Sequence, residues 1–225
     1  MKMRLKDKKR AIGLRLEGKT YNEIRSIIPN LSKSTISGWL KNIEFNTEQK
    51  QNLEKHIGEV RNKARERSNL ARGERRRERI QKIIKEAEKE YLNLSKNPFF
   101  LICLSLYWAE GNKKTEHFQF TNSDPRAIKA IMRWLIKICK IPISEIKFRL
   151  YMHKIYADED CEKFWSELTN IPISNFQKTI FKPTLHKAKK NINYKGCVQL
   201  RVLKSAFHWR VVGWTKKLIK EYKLN

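Results

Sequence analysis

The apolar run 101–109 ends on Glu110 and Gly111, so a carboxylate sits in the last turn of a helix, where the macrodipole favours a cation. A bound metal would compensate it. So would the ammonium of Lys113 or Lys114 behind a glycine C-cap. A second group of candidates comes from four stretches that alternate with period two, as half-buried strands do. In 116–121, Phe118 and Phe120 oppose His117, Gln119 and Thr121. In 145–153, Ile146, Phe148, Leu150 and Met152 oppose Lys147, Arg149, Tyr151 and His153. In 198–203, Val198, Leu200 and Val202 oppose Gln199 and Arg201. The fourth stretch, 175–182, is less regular, with Gln177 and Thr179 opposite Phe176 and Ile180. The apolar side calls for covering helices. The other side presents Gln119, Lys147, Arg149, Tyr151, Gln199 and Arg201, a donor-rich set suited to base edges and phosphates.

The elements that must carry these residues are legible as well. Thr20 with Glu23 forms a capping box for a helix whose inner face is Ile24, Ile27 and Ile28. Pro29-Asn30 turns the chain, and Ser32 caps a further helix with Ile36, Trp39 and Leu40 inward. Lys33, Ser34, Thr35, Ser37 and Lys41 then face out. The strings 17–24 and 32–40 resemble the helix-turn-helix of resolvases, transposases and bacterial repressors, which implies that those five residues meet DNA in a major groove. Further on, Asn122 to Pro125 starts a helix with Ile128, Ile131, Met132, Leu135 and Ile138 on its apolar side. The segment 158–169 reads as an extra helix, and Phe207, Val211, Trp214 and Leu218 stripe a last one.

Residues 46–97 are strongly charged, with apolar residues at helical spacing: Leu53, Ile57, Val60 and Ala64, then Ile80, Ile83, Ala87, Tyr91 and Leu94. Two helices fit, or one helix interrupted at 73–79, where Arg75, Arg76 and Arg77 cluster. That cluster is either a solvated spacer or a basic arm lying on phosphates. An internal echo follows: 134–140, Ile141-Pro142-Ile143-Ser144 and 145–152 match 164–170, Ile171-Pro172-Ile173-Ser174 and 175–182. Each copy reads as the end of a helix, a proline turn and a strand.

A chain of 225 residues carries one ordinary core plus a small module. Its formal charge of +27 and pI near 10.1 favour polyanionic partners, nucleic acid first. The longest apolar run is about half a bilayer span, and the basic amino terminus lacks a secretory core, so a cytoplasmic, nucleoid-associated protein without a membrane partner is expected. Four dispersed cysteines, Cys103, Cys139, Cys161 and Cys197, read as buried thiols, and five dispersed histidines predict no zinc site.

The segment 103–111 resembles the motif helix of LAGLIDADG homing endonucleases, with small residues at Ser105 and Ala109, though Leu104 and Trp108 depart from the pattern. The resemblance implies that Glu110 is a ligand of Mg²⁺, with the Gly111 carbonyl beside it, and that the 100–110 helix is the seam of a homodimer. Lys147 and Arg149 are candidates, from strand alternation, for stabilising charge in the transition state. The expected fold class is α+β: a three-helix helix-turn-helix over 1–45, a charged helical linker over 46–97, and a LAGLIDADG-like mixed α/β domain over 98–225 with an antiparallel sheet facing DNA. The expected activity is metal-dependent cleavage of double-stranded DNA by a homodimer. A non-cutting regulator built from the same two modules is the alternative, and RNA, bound as by splicing helpers, is a third possible partner.

Overall fold

Local sequence signals set most helix ends in the computed structural model, which describes residues 2–157, 160–183 and 193–224, with side chains from residue 5. Helices α1 (Lys2–Leu16), α2 (Tyr21–Ile27) and α3 (Lys33–Leu40) are separated at Gly18 and Asn30. Both residues take left-handed backbone, φ 87° and 64°, which glycine adopts freely and asparagine tolerates. The capping box forms: the Glu23 N–H donates to the Thr20 hydroxyl at 3.3 Å, and the Thr20 N–H donates to the Glu23 carboxylate at 2.7 Å. Ser32 caps α3 by accepting from the Thr35 N–H at 3.0 Å. Ala11, Ile24, Ile28, Ile36 and Leu40 bury a small core of their own, with Trp39 half-buried against it. Ile27, expected inside, is exposed, because a seven-residue helix directs Ile24 and Ile28 inward one turn apart and turns Ile27 away.

The chain divides into two compact units, residues 1–76 and 77–225, and α4 (Thr47–Leu94) contributes to both. The break expected at 73–79 is absent: one glycine costs a helix only about 1 kcal/mol, and the Glu and Arg around it are good helix formers. The apolar seam is shorter than its sequence spacing suggested. Leu53 is buried in the first unit and Ile84, Ala87 and Tyr91 in the second, while every residue from 61 to 70 is exposed, Ala64 included. Ile84 takes the inner place expected of Ile83 because it faces the last helix, α8 (Ser205–Glu221). There Gly213 admits the α4 backbone: a Cβ at that position would lie 2.7 Å from the Ala87 Cβ and 2.8 Å from the Ile84 carbonyl oxygen. Glu90 fastens the same crossing by accepting from Arg210 Nε (3.2 Å) and Nη2 (3.1 Å) and from the Trp214 indole (3.2 Å).

The second unit continues with α5 (Pro98–Glu110), β1 (Phe118–Asn122), α6 (Pro125–Arg133), β2 (Ile146–His153), α7 (Cys161–Thr169), β3 (Phe176–Lys182) and β4 (Cys197–Val202) before α8. Asn97 and Asp124 cap α5 and α6, each followed by proline at the first helical position. A π-turn, Trp134–Ile138, prolongs α6. Of the expected helix 158–169, α7 covers Cys161–Thr169, and Asp158 and Glu159 lie outside the described residues.

The four strands form one sheet in the order β1-β4-β2-β3. It is mixed: β4 pairs antiparallel with β1 and β2, but β2 and β3 run parallel, which corrects the expected antiparallel sheet. The internal echo is the reason. Both copies form helix, left-handed residue, 3-10 turn and strand, with Lys140 (φ 58°) and Asn170 (φ 55°) at matching places. Two like-handed helix-to-strand units side by side point their strands the same way. Asn175 joins them, its amide donating to the carbonyls of Ile143 (3.0 Å) and Ile146 (3.1 Å).

The apolar sheet face carries Phe118, Phe120, Phe148, Leu150, Val198 and Leu200 into a core closed by Phe100, Leu104, Trp134 and Trp214 from the helices. Phe100 meets Trp214 edge-on at 5.4 Å. The expected stripes of α6 and α8 are buried except Ile138, which is half-buried. Cys103, Cys139 and Cys161 are buried and Cys197 is half-buried, and among the described residues none forms a disulfide. Burial pushes the Cys103 thiol up to about 12, so it stays protonated and unreactive. Among the described residues no helix is long and apolar enough to cross a membrane.

Candidate nucleic-acid interface

Strand register assembles the polar side chains into rows. Thr121 on β1 lies opposite Gln199 on β4, Gln199 opposite Arg149 on β2, and Arg149 opposite Gln177 on β3, so one row crosses all four strands. The neighbouring row places Gln119, Arg201 and Lys147 side by side. Lys147, Arg149, Tyr151, Gln199 and Arg201 are all half-buried, set between covered apolar neighbours. The Gln199 amide donates to the Thr121 hydroxyl and Arg201 Nη1 donates to the Gln177 side-chain Oε1, both at 3.4 Å. Lys182 lies over the Tyr151 ring, 5.6 Å from its centroid.

The electrostatics of this face are one-sided. None of the strand residues on it is acidic, and Lys147 and Arg201 stand directly opposite each other, an arrangement that costs a sheet stability unless an anion intervenes. The Nε groups of both Arg149 and Arg201 are buried and, among the described residues, have no hydrogen-bond partner. Burying a donor without an acceptor is unfavourable, and phosphate or base oxygens would satisfy both groups.

The irregular fourth strand has a local cause. The register of β2 with β3 slips between Arg149↔Gln177 and Tyr151↔Ile180, a β-bulge that inserts one residue into β3. Beyond it Thr179 turns to the helix-covered side, where its hydroxyl bonds Glu162, and Ile180 joins the polar side. Gln177 lies ahead of the slip, keeps the polar side that alternation gave it, and pairs with Arg149 in the row.

Gln119 is not on the open face. It is 7% exposed, with its amide oxygen accepting from Asn112 at 3.0 Å, because residues 111–114 fold across the end of β1. Gly111 bridges to Phe120, which brings Glu110 beside Thr121 at the β1 end of the polar row. Arg149 and Lys147 sit three strand spacings from there, roughly 14 Å. Their backbones are therefore set apart from Glu110 across the sheet, on the extended polar surface.

Glu110 itself is exposed and, among the described residues, makes no hydrogen bond or ion pair. The cation that the helix end calls for is Lys113, whose ammonium donates to the carbonyls of Trp108 and of Ala109 (3.4 Å). Gly111 is needed for space and not for a left-handed cap: its φ is −71°, and a Cβ there would lie 2.5 Å from the Tyr107 ring and carbonyl. Tyr107 in turn stacks on Phe118 at 4.5 Å and donates to the Asn112 carbonyl at 3.1 Å. Among the described residues no three His, Cys, Asp or Glu side chains converge as a metal cluster. One open carboxylate is nonetheless a hard oxygen donor of the kind Mg²⁺ takes when phosphates and water complete its shell.

On α5, Ile102 (60% exposed), Ser105, Trp108 and Ala109 lie open, opposite the buried Phe100, Cys103, Leu104 and Tyr107. In the first unit, Lys33, Ser34, Ser37 and Lys41 are exposed on and just after α3, and Thr35 is half-buried. The hydroxyls of Ser34 and Thr35 each lie 2.8 Å from the Ser32 hydroxyl, which fixes their rotamers. Arg75, Arg76 and Arg77 are exposed on α4, with Arg75 Nε donating back to the Ala71 carbonyl at 3.3 Å. No protein-family profile, curated protein or solved structure matches the chain.

Proposed function

We propose that this chain is a sequence-specific binder of double-stranded DNA that works as a homodimer. The observation that carries the reading is the acid-free polar row Thr121-Gln199-Arg149-Gln177, flanked by Lys147 and Arg201, whose two buried arginine Nε donors lack acceptors among the described residues. Arginine and glutamine held on rigid strands can make two-point contacts to base edges, while the lysine neutralises phosphate. The second contact is α3, read as the recognition helix of a helix-turn-helix, with Lys33, Ser34, Thr35, Ser37 and Lys41 outward. The exposed residues Ile102, Ser105 and Ala109 of α5, apolar or small, support pairing with a second copy, and a two-fold dimer reads a two-fold site.

Endonuclease activity is the further step, supported by Glu110, a carboxylate left open at the end of the α5 stripe. In the dimer the two Glu110 side chains would hold Mg²⁺ together with DNA phosphates; the ion when bound would activate water and neutralise the scissile phosphate. The chain's own part is to keep that carboxylate unpaired: Lys113 is engaged by the helix carbonyls, and Gly111 holds the turn against Tyr107. The alternative of a non-cutting regulator rests on the same lysine, since Lys113 already compensates the helix end without metal.

A randomised duplex library incubated with Mg²⁺ or with EDTA, using native protein and Glu110→Gln, separates the cases. Discrete cuts that need both metal and Glu110 establish the nuclease. Enriched sequences bound but never cut establish the regulator, and no enrichment overturns DNA recognition.

A further inference from the structure

Away from the polar sheet face, α5 and α8 enclose a cavity of about 480 Å³, within the range of small-molecule sites. Its lining includes Tyr107, Trp108 and Trp209, with Lys113 and Lys216 beside them and His208 between the helices. Tyr107 is taken up by its stack on Phe118, but core packing leaves the other two rings open, Trp108 being 38% exposed and Trp209 half-buried. Flat indole surfaces open to a cavity suit a flat aromatic guest.

His208 is 5% exposed, and its Nδ1 is buried without a hydrogen-bond partner among the described residues. Burial holds this imidazole below its ordinary pKa, against the pull of Glu116 and with the push of His117, so the ring is neutral near pH 7. A neutral imidazole offers either a donor or an acceptor to the edge of a guest. Lys113 uses two donors on helix carbonyls and keeps a third, and Lys216 is exposed.

We propose that this cavity binds a single unstacked nucleotide, its base against Trp108 and Trp209, its edge toward His208, and its phosphate at Lys113 and Lys216. Base stacking on aromatic side chains needs no sequence match, so the site would complement the sequence-reading sheet and not repeat it. The nucleotide is either one turned out of bound DNA or a free mononucleotide. The first source rests on the DNA-binding reading above, and the second does not.

The test uses the full chain and three probes: a fully paired duplex, the same duplex with one unpaired 2-aminopurine, and dAMP alone. Trp209→Leu, Lys216→Gln and, as a control on the sheet, Arg149→Gln are compared with the native protein. Trp209→Leu is expected to weaken the unpaired duplex about tenfold, to abolish quenching of 2-aminopurine, and to leave the paired duplex unchanged. Lys216→Gln, altered only at an exposed side chain, should weaken the unpaired duplex severalfold, while Arg149→Gln weakens both duplexes alike. If no duplex binds, the DNA reading fails and dAMP decides: saturable quenching of tryptophan fluorescence that is lost in Trp209→Leu sustains the cavity. Equal losses on both duplexes in the cavity variants, or no effect of those variants on any probe, overturn the proposal.

Discussion

Glu23 shows how one side chain serves two elements. The Thr20 N–H, then the Thr20 hydroxyl and His56, hold its carboxyl at about 2, and His56 brings the start of α4 to α2 at 2.9 Å. A depressed carboxyl pKa contributes stability above the unfolded value, near 4.3, and loses it as pH falls toward 2. Glu23→Ala should therefore cost about 1 kcal/mol at pH 6, in line with a lost capping interaction, and almost nothing near pH 2. Thermal denaturation of the two proteins across that range checks it. Gly111 makes the opposite point, a residue fixed by what its neighbour fills. Gly111→Ala must displace Tyr107 and should destabilise by about 1–3 kcal/mol in a urea titration, whether or not Glu110 ever binds metal.

At the scale of elements, the sheet keeps a conflict that folding alone would remove. Lys147 faces Arg201 across β2 and β4, with Arg149 diagonal to Arg201 and next to Lys147 on the same face of β2, and no strand residue on that face is acidic. Lys147→Gln should raise the stability of the free protein by a few tenths of a kcal/mol, relieving like-charge repulsion, while weakening DNA binding. Calorimetry without DNA and fluorescence anisotropy with it, at one salt concentration, would show the two changes in opposite directions. A loss of stability on removing Lys147 would mean that the cations do not repel there.

For the molecule as a whole, net charge governs which partners the chain can hold and how firmly. Fifty Lys and Arg against twenty-three Asp and Glu make any polyanion complex steeply salt-dependent. Replacing Arg75, Arg76 and Arg77 together by Gln should lower the slope of log K against log salt by roughly 0.9 for each phosphate they had neutralised, if the exposed middle of α4 lies on DNA. An unchanged slope would make that stretch a spacer. The same substitution leaves the buried part of α4, at Ile84, Ala87 and Tyr91, untouched, so folding should be unaffected.

What the sequence determined by itself was of short range or fixed period. Capping at Thr20, Ser32 and Asp124, the left-handed break at Gly18 and the four alternating strands all follow from residues within a turn or two of each other. The echo at 134–152 and 164–182 was equally plain as two helix-turn-strand copies. Its consequence, a parallel β2–β3 pair inside an otherwise antiparallel sheet, needed the two copies side by side. Tertiary structure alone decided which polar residues share a row, because register is a relation between strands and one bulge in β3 exchanges the faces of Thr179 and Ile180. It alone covered Gln119 with the 111–114 turn and chose Lys113 over Lys114 at the end of α5. It also parted Glu110 from Arg149 across the sheet, since that separation depends on strand order, which no period in the sequence encodes.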